Sequence, residues 1–154
     1  MQITIVILFV ILIILLGIIP LLTKPFQYRY SPKKYLLTRA ELNFYKYLVR
    51  SLPPQYTVMC KVRLADILFT NNYGRARMYA FNKIKSKHVD FVIVDFETSE
   101  IKTVIELNDN SHFLPKRVKR DKFLADTFKQ AGVSFKTVTT KHTYAAEELY
   151  TLVS

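Results

Sequence analysis

Two acidic residues lie inside apolar segments of this sequence. Asp90 is the third residue of HVDFVIVD (88–95), and Glu106 is the second-to-last residue of IKTVIEL (101–107). Burying an ionised carboxylate is costly unless another group pairs with it. If both side chains point to the same face of a sheet, two unit charges about 5 Å apart repel by roughly 3 kcal/mol at an effective dielectric near 20. A divalent cation reverses that sign, and carboxylate oxygens suit Mg²⁺ better than zinc. We therefore interpret Asp90 and Glu106 as candidate ligands of Mg²⁺ or Mn²⁺.

The two segments are predicted to be the arms of a β-hairpin. Strands over 88–95 and 101–107 are separated by the polar turn FETSE. Both arms are apolar on both faces, which is typical of central strands. In a tight antiparallel hairpin, Asp90 and Glu106 lie close to opposite one another.

A helix is predicted to precede the hairpin. Thr38 and Glu41 have the spacing of a capping box, and Leu42, Tyr45 and Val49 share one face of the following helix. Completing this capping box is one role for Glu41.

The segment YTVMCKVRL (56–64) alternates between apolar and polar residues, which predicts a half-exposed strand. Cys60 falls on its apolar side and Lys61 on its exposed side. The lone cysteine is therefore interpreted as a buried strand residue rather than as a nucleophile. Residues 65–87 predict a short helix and a basic loop.

A second long helix is predicted to follow the hairpin. Pro115 suits its first turn and Gly132 its C-terminal cap, with Val118, Leu124 and Phe128 facing inward. A strand over VSFKTVTT and a final helix over 143–153 complete the order αβββαβα. The predicted class is α/β, with a mixed central sheet flanked by helices and a last strand reached by a right-handed crossover.

The N-terminal segment predicts a membrane anchor. Residues 3–22 are uncharged and overwhelmingly apolar. A helix of this length is long enough to cross a bilayer. Lysines and arginines follow this segment and none precedes it, so the positive-inside rule predicts an outer N-terminus and a cytoplasmic C-terminal domain of a single-pass inner-membrane protein. The predicted organisation is an anchor over 1–23, a linker over 24–37 and one domain over 38–154.

Charge and composition reduce the number of functional classes to which the protein could belong. The net charge of +11 and a pI near 9.8 favour a polyanionic partner, either nucleic acid or an acidic membrane face. With three glycines in all, the sequence lacks the phosphate-binding loops of nucleotide-binding folds. Three scattered histidines and one cysteine make no structural zinc site.

Several motifs resemble a known domain family. The segments LLTRAELNFYKYL, KHVDFVIVD, IELNDNSH and RVKRDKFLADTFKQAG are similar to those of DUF2726, a bacterial domain of unknown function often found behind one membrane span. The resemblance covers about residues 36–153. An acid early in one hairpin strand, an acid on the next, a Glu on a preceding helix and a basic helix afterwards also resemble the PD-(D/E)XK, or restriction-endonuclease-like, superfamily, which implies an αβββαβ core.

The resemblance implies roles for particular residues. Val89-Asp90 stands at the Pro-Asp position and Glu106-Leu107-Asn108 at the acid-x-Lys position. Asp90, Glu106 and the Leu107 carbonyl would then hold the metal, and Glu41 would be the helix acid of the catalytic set. Phosphate contacts are expected from the basic helix, at Lys116, Arg117, Lys119 and Arg120.

The sequence departs from the superfamily pattern at Asn108, which supplies no ammonium group. In the similar very-short-patch repair endonucleases, a histidine six residues beyond the acid replaces the lysine, and His112 is six residues beyond Glu106. A lysine reaching in from the next helix, Lys116 or Lys119, is the alternative.

Two functions of different classes remain open on the sequence. The first is a membrane-tethered, Mg²⁺-dependent nuclease-like domain acting on nucleic acid, with DNA as the expected substrate and His112 as general acid or base. The second is a non-catalytic, membrane-anchored module that binds nucleic acid, protein or anionic lipid through the same scaffold. Ordinary structural roles also stay open: turn formation for residues 108–110, helix capping for His112 and a solvated face for residues 116–122.

Overall fold

The computed structural model describes residues 1–22, 27–108 and 115–153. The chain divides into two compact units, Met1–Lys34 and Tyr35–Ser154. The predicted domain start at residue 38 therefore lies close to the observed boundary.

The helices and strands follow in this order: α1 (Gln2–Leu22), α2 (Arg39–Ser51), β1 (Tyr56–Arg63), α3 (Leu64–Ile67), α4 (Gly74–Ile84), β2 (His88–Asp95), β3 (Ile101–Asn108), α5 (Pro115–Ala131), β4 (Phe135–Thr139) and α6 (Ala146–Tyr150).

The N-terminal unit contains α1. Among the residues that the structure describes, no helix is both long enough and apolar enough to cross a membrane. The membrane span predicted for residues 1–23 is therefore not supported by the structure.

The second unit is built on a mixed sheet, which in the described residues has four strands in the order β1-β2-β3-β4. β1 and β3 are antiparallel to β2, and β4 runs parallel to β3. The predicted hairpin and returning last strand are thus confirmed. Parallel pairing of β3 with β4 requires a crossover, and α5 supplies its helix.

Hydrophobic side chains cover both faces of the sheet. On one face, a first cluster packs α2 and α6 against the central strands, with members that include Phe44, Leu48, Phe91, Ile105 and Leu149. On the other face, a second cluster packs α3, α4 and α5, with members that include Leu64, Val89, Val104, Leu124 and Phe128. β2 and β3 are buried on both faces, as their apolar composition predicted.

Local signals fix two of the boundaries. The predicted capping box is present, because Thr38 and Glu41 each accept the backbone N–H of the other, at 3.3 and 2.9 Å. In the hairpin turn, Asp95 Oδ1 accepts the N–H groups of Glu97 and Thr98, at 3.1 and 2.9 Å, and Ser99 has φ 60°. A short side chain that bonds its own turn is the usual device at such positions.

Lys61 is the main irregularity of β1. Its φ is 56°, in the left-handed region that residues with a Cβ rarely adopt. Before it, Cys60 packs against the first cluster; after it, Val62 packs against the second. The opposing strand changes face at the same place, with Phe91 in the first cluster and Val89 in the second.

This change of face corrects the predicted pattern of β1. Strict alternation placed Cys60, Val62 and Leu64 on one side and Lys61 on the exposed side, but the side chain of Lys61 is only 20% exposed. A left-handed residue breaks the period of two, so apolar residues beyond it reach the opposite face.

Other packing predictions were also wrong in detail. In α2 the buried residues are Phe44 and Leu48, whereas Leu42 and Val49 are exposed. In α5, Leu124 and Phe128 are buried as predicted, but Val118 is 56% exposed because, at 100° per residue, it projects about 120° away from Leu124. The stretch 65–87, predicted as a short helix and a loop, contains α3 and α4, and the last helix is shorter than the predicted 143–153.

The backbone at Lys61 predicts an inverted preference between alanine and glycine. Both substitutions remove the same ammonium group, but only Lys61→Gly relieves the left-handed strain. The free energy of unfolding of Lys61→Gly should therefore be about 1 kcal/mol higher than that of Lys61→Ala. Urea unfolding followed by circular dichroism measures the difference. At Met59, an exposed position of the same strand, alanine should be the more stable variant. Equal stability of the two position-61 variants would show that the strain is relieved without glycine.

Candidate functional site

A row of charged residues crosses one end of the sheet. Lys61 lies between the paired positions Cys60–Phe91 and Val62–Val89, which places it opposite Asp90. Asp90 and Glu106 lie one step beyond the pair Phe91–Ile105, so the hairpin brings them opposite each other as predicted. Both acids are buried, with 7% and 4% exposure.

Lys61 bridges two of the carboxylates in this region. Its Nζ donates to Asp90 Oδ1 at 2.7 Å and to Glu41 Oε1 at 2.8 Å. Burial lowers the pKa of Lys61, but the two carboxylates outweigh this effect and the net shift is upward. Glu41 shows the complementary change: burial raises its pKa, while Lys61 and Thr38 outweigh burial and lower it. The ammonium group is therefore a charged structural partner rather than a neutral nucleophile.

Glu41 consequently has two roles in the structure. One carboxylate oxygen completes the capping box of α2, and the other accepts from Lys61. The predicted capping role is confirmed, and the same side chain reaches the site.

The second oxygen of Asp90 is held by the backbone. Asp90 Oδ2 accepts the N–H of Leu107 at 3.0 Å. Two donors therefore fix this carboxylate from neighbouring strands.

Glu106 is paired from the opposite side of the sheet. Arg120 on α5 donates from Nη1 to Glu106 Oε1, and from Nη2 to the His88 carbonyl at 3.1 Å. The other oxygen, Glu106 Oε2, is buried and has no hydrogen-bond partner among the described residues. A buried acceptor without a donor is costly, so this unpaired oxygen is where the site lacks a partner.

The electrostatics of Glu106 follow from that geometry. Burial raises its pKa to about 7, and the nearby Asp90 charge adds to the rise, while the hydrogen bond from Arg120 opposes it. Near neutral pH this carboxyl is therefore close to its titration point. A bound cation would favour the ionised form.

These side chains line a cleft of about 630 Å³. Its basic residues are Arg39, Lys61 and Arg120, and its acidic residues are Glu41, Asp90, Glu106 and Asp121. Three positive and four negative charges give −1 for the described lining, in a chain whose net charge is +11. The described lining is thus acidic within a basic protein, which favours the binding of a cation.

The donor set fits a cation that keeps water ligands. Among the described residues, no group of three or more His, Cys, Asp or Glu side chains is placed to hold a metal ion. Asp90 and Glu106 form a pair of carboxylates, with Glu106 Oε2 open. Mg²⁺ is commonly bound by one or two carboxylates while retaining several waters. The pair therefore suits Mg²⁺ or Mn²⁺ better than a closed zinc site.

The structure brings together Asp90, Glu106 and Glu41 from the predicted set. It adds Lys61, which alternation had placed on the exposed face, and it places Arg120 against Glu106. The signal for Lys61 was its position opposite Asp90, which required the register of β1 to be known.

The remaining predicted residues differ in what the structure says of them. Lys119 is exposed on α5, as a phosphate contact requires. Lys116 and Arg117 belong to α5, but their side chains lie outside the described residues, as does His112. Their roles stay predictions.

Protonation of Glu106 predicts an unusual pH dependence. The folded pKa of about 7 lies above the ordinary glutamate pKa of 4.5, so the stability that Glu106 contributes is complete below about pH 4.5 and is lost as pH rises through about 7. At about pH 8, the free energy of unfolding of Glu106→Gln should therefore exceed that of the parent by up to about 3 kcal/mol. At about pH 4.5 the two free energies should be nearly equal.

Urea titrations without metal at both pH values measure this difference. The matched control is Glu100→Gln in the hairpin turn, which removes a surface carboxylate that pairs with Lys102; its free energy of unfolding should stay close to that of the parent in both titrations. Destabilisation of the Glu106→Gln variant at both pH values would identify the carboxylate as a structural partner of Arg120.

Comparison with known proteins gives a family but no characterised relative. No curated protein and no solved structure matches this chain significantly. The model of the family described as "Protein of unknown function (DUF2726)" matches residues 33–153, which include every side chain of the charged row and its helices. The chain therefore belongs to the DUF2726 family.

Proposed function

We propose that the cleft is a metal-dependent nuclease centre that hydrolyses phosphodiesters of nucleic acid, with Asp90 and Glu106 as ligands of Mg²⁺ or Mn²⁺. The observation that carries the proposal is the buried oxygen of Glu106, beside Asp90, that has no hydrogen-bond partner among the described residues. The acidic cleft within a basic chain supports it. The acidic lining is complementary to a cation, and the basic chain around it is complementary to a phosphate backbone.

The residues of the chain have separable tasks in this proposal. Lys61 and the Leu107 N–H hold Asp90 in place, and Arg120 orients Glu106. When bound, the cation would polarise the scissile phosphate and lower the pKa of an attacking water. His112 would accept or deliver the proton, since an imidazole with an ordinary pKa near 6.5 suits this task at neutral pH. Lys116, Arg117 and Lys119 would contact phosphates.

The fold assignment that accompanies this function is the restriction-endonuclease-like class. Its αβββαβ order corresponds here to α2, β1, β2, β3, α5 and β4, with the acids on β2 and β3. Lys61 also fits it, because it supplies an ammonium group next to Asp90 although position 108 is Asn. The helices α3 and α4, inserted between β1 and β2, are additions to that order.

A specific observation favours the alternative, a non-catalytic binding module. Lys61 and Arg120 already pair with the carboxylates, so the fold is largely charge-compensated without a metal ion. In that case the acids stabilise the sheet end, and the exposed basic residues alone would bind nucleic acid, protein or anionic lipid.

The two functions differ in their response to metal. If the proposal holds, Mg²⁺ should raise the melting temperature of the parent, by an amount equivalent to about 2.7 kcal/mol at a concentration of about 100 Kd. Asp90→Asn and Glu106→Gln should abolish both this rise and metal-dependent nicking of plasmid DNA. Differential scanning fluorimetry and gel analysis measure the two effects.

Two controls sharpen this experiment. Glu100→Gln, at an exposed acid of the hairpin, should retain both effects. His112→Ala should keep the metal response but slow cleavage by roughly 10²- to 10⁴-fold, whereas His142→Ala should cleave at the parental rate. If the parent binds DNA but cuts no duplex, single-stranded or branched substrate with Mg²⁺ or Mn²⁺, the binding module is the better assignment.

Tethering of this domain to a membrane is a separate part of the proposal and rests on the sequence alone. Residues 3–22 contain no ionisable side chain, and basic residues follow them. The full chain should therefore stay in the membrane fraction after an alkaline carbonate wash and be released by detergent. Release by the wash alone would contradict the tether without affecting the proposed chemistry.

A further inference from the structure

Exposed aromatic and basic side chains cover α4 and the segment before it. This α4 surface is formed by Phe69, Tyr73, Arg75, Arg77, Met78 and Tyr79. Phe69 is 78% exposed, Tyr73 90% and Tyr79 71%. Among the described residues of α4, Ile84 is the one buried side chain. So many solvent-facing rings on one short segment are typical of an interaction site.

The charge of this segment is of one sign. Residues 67–87 contain five lysines and arginines and no aspartate or glutamate. A local charge of +5 beside exposed aromatic rings is complementary to a polyanion that also offers flat apolar faces. Single-stranded nucleic acid has both properties, because its bases are free to stack.

The arrangement of the side chains favours nucleic acid over a lipid surface. At 100° per residue, Arg75 projects from α4 between Met78 and Tyr79, so cationic and apolar side chains are interleaved on one face. A membrane-surface helix instead separates its charged face from its apolar face. The guanidinium of Arg77 also lies over the exposed ring of Phe69, 5.6 Å from its centroid, which is a cation–π contact.

A groove separates the segment before α4 from α5. It measures about 430 Å³ and runs between residues 68–72 and α5, where Lys83, Thr127 and Gln130 contribute polar groups. The same helix lines the cleft with Arg120, about 15 Å from Gln130 along its axis. Lys87, just before β2, lies over the Phe123 ring at 5.2 Å, between the two regions.

We propose that the α4 surface binds single-stranded nucleic acid, with bases stacked on Phe69 and Tyr79 and phosphates held by Arg75 and Lys83. The strand would follow α5 into the cleft. This inference rests on the proposed function for the reaction itself, but the binding step requires no metal. A duplex is disfavoured because its bases are stacked on each other and present no free faces to the rings.

Binding by the full chain in EDTA tests the surface directly. Fluorescence anisotropy with a labelled single strand of ~15 nucleotides and with the matching duplex compares the two forms at equal salt. The single strand should bind more tightly. Phe69→Ala and Tyr79→Ala should each weaken its binding by roughly 5- to 150-fold. Arg75→Gln and Lys83→Gln should each lower the slope of log affinity against log salt by about 0.7.

The matched control is Tyr150→Ala on α6, an exposed aromatic residue at 54% exposure, which should leave binding unchanged. All these positions are exposed, and circular dichroism should show the parental fold. Equal affinity for duplex and single strand, or unchanged binding by both aromatic variants, would overturn the proposal. So would loss of binding to phosphatidylserine vesicles in those variants while their single-strand affinity persists.

This experiment separates the surface from the reaction. If the parent never cleaves but binds in EDTA as described, the nuclease proposal fails and the α4 surface is supported. If the parent cleaves with Mg²⁺ and Tyr79→Ala neither binds a single strand less tightly nor raises KM for it, the nuclease proposal stands and the α4 surface is wrong.

Discussion

The burial of two carboxylates at the end of a sheet is the constraint on which this structure depends. Asp90 and Glu106 lie opposite each other on central strands that are covered on both faces, where neither can rely on water for solvation. Compensation arrives from outside the hairpin. Lys61 comes from the neighbouring strand, and Arg120 comes from the helix on the far face. The irregular first strand and the two helices that supply Glu41 and Arg120, α2 and α5, are thus arranged around these buried acids.

That compensation is incomplete at Glu106 Oε2, and this makes the two carboxylates chemically different. Asp90 accepts at both oxygens, from an ammonium group and from a backbone N–H. Glu106 accepts at one oxygen alone among the described residues, and burial raises its pKa to about 7. Two acids that look alike in the sequence therefore differ in the structure: one is fixed and fully paired, and the other is poised between protonation states. Such asymmetry between neighbouring carboxylates is what acid–base and metal chemistry exploit.

The parts of this arrangement that depend on local signals were predictable from the sequence. The capping box at Thr38 and the turn after Asp95 fixed the start of α2 and the hairpin, and the hairpin alone placed Asp90 opposite Glu106. Lys61 was misplaced because a left-handed backbone at a residue other than glycine leaves no mark in the pattern of alternation. The contact of Arg120 with Glu106 depends on how α5 is rotated on the sheet, and a helix that is basic along its first turns gives no hydrophobic guide to that rotation.

The Asp95 turn also has a kinetic consequence. It closes the hairpin with local hydrogen bonds, and hairpins form in about 1–10 μs. Lys61 comes from a more distant part of the chain, because it is 29 residues from Asp90, and contacts over larger separations close more slowly. The two acids should therefore meet before Lys61 reaches Asp90, and we expect their mutual repulsion to be part of the folding barrier. A chain that folds in acid, with one carboxyl protonated, would cross that barrier more easily than a chain that folds at neutral pH.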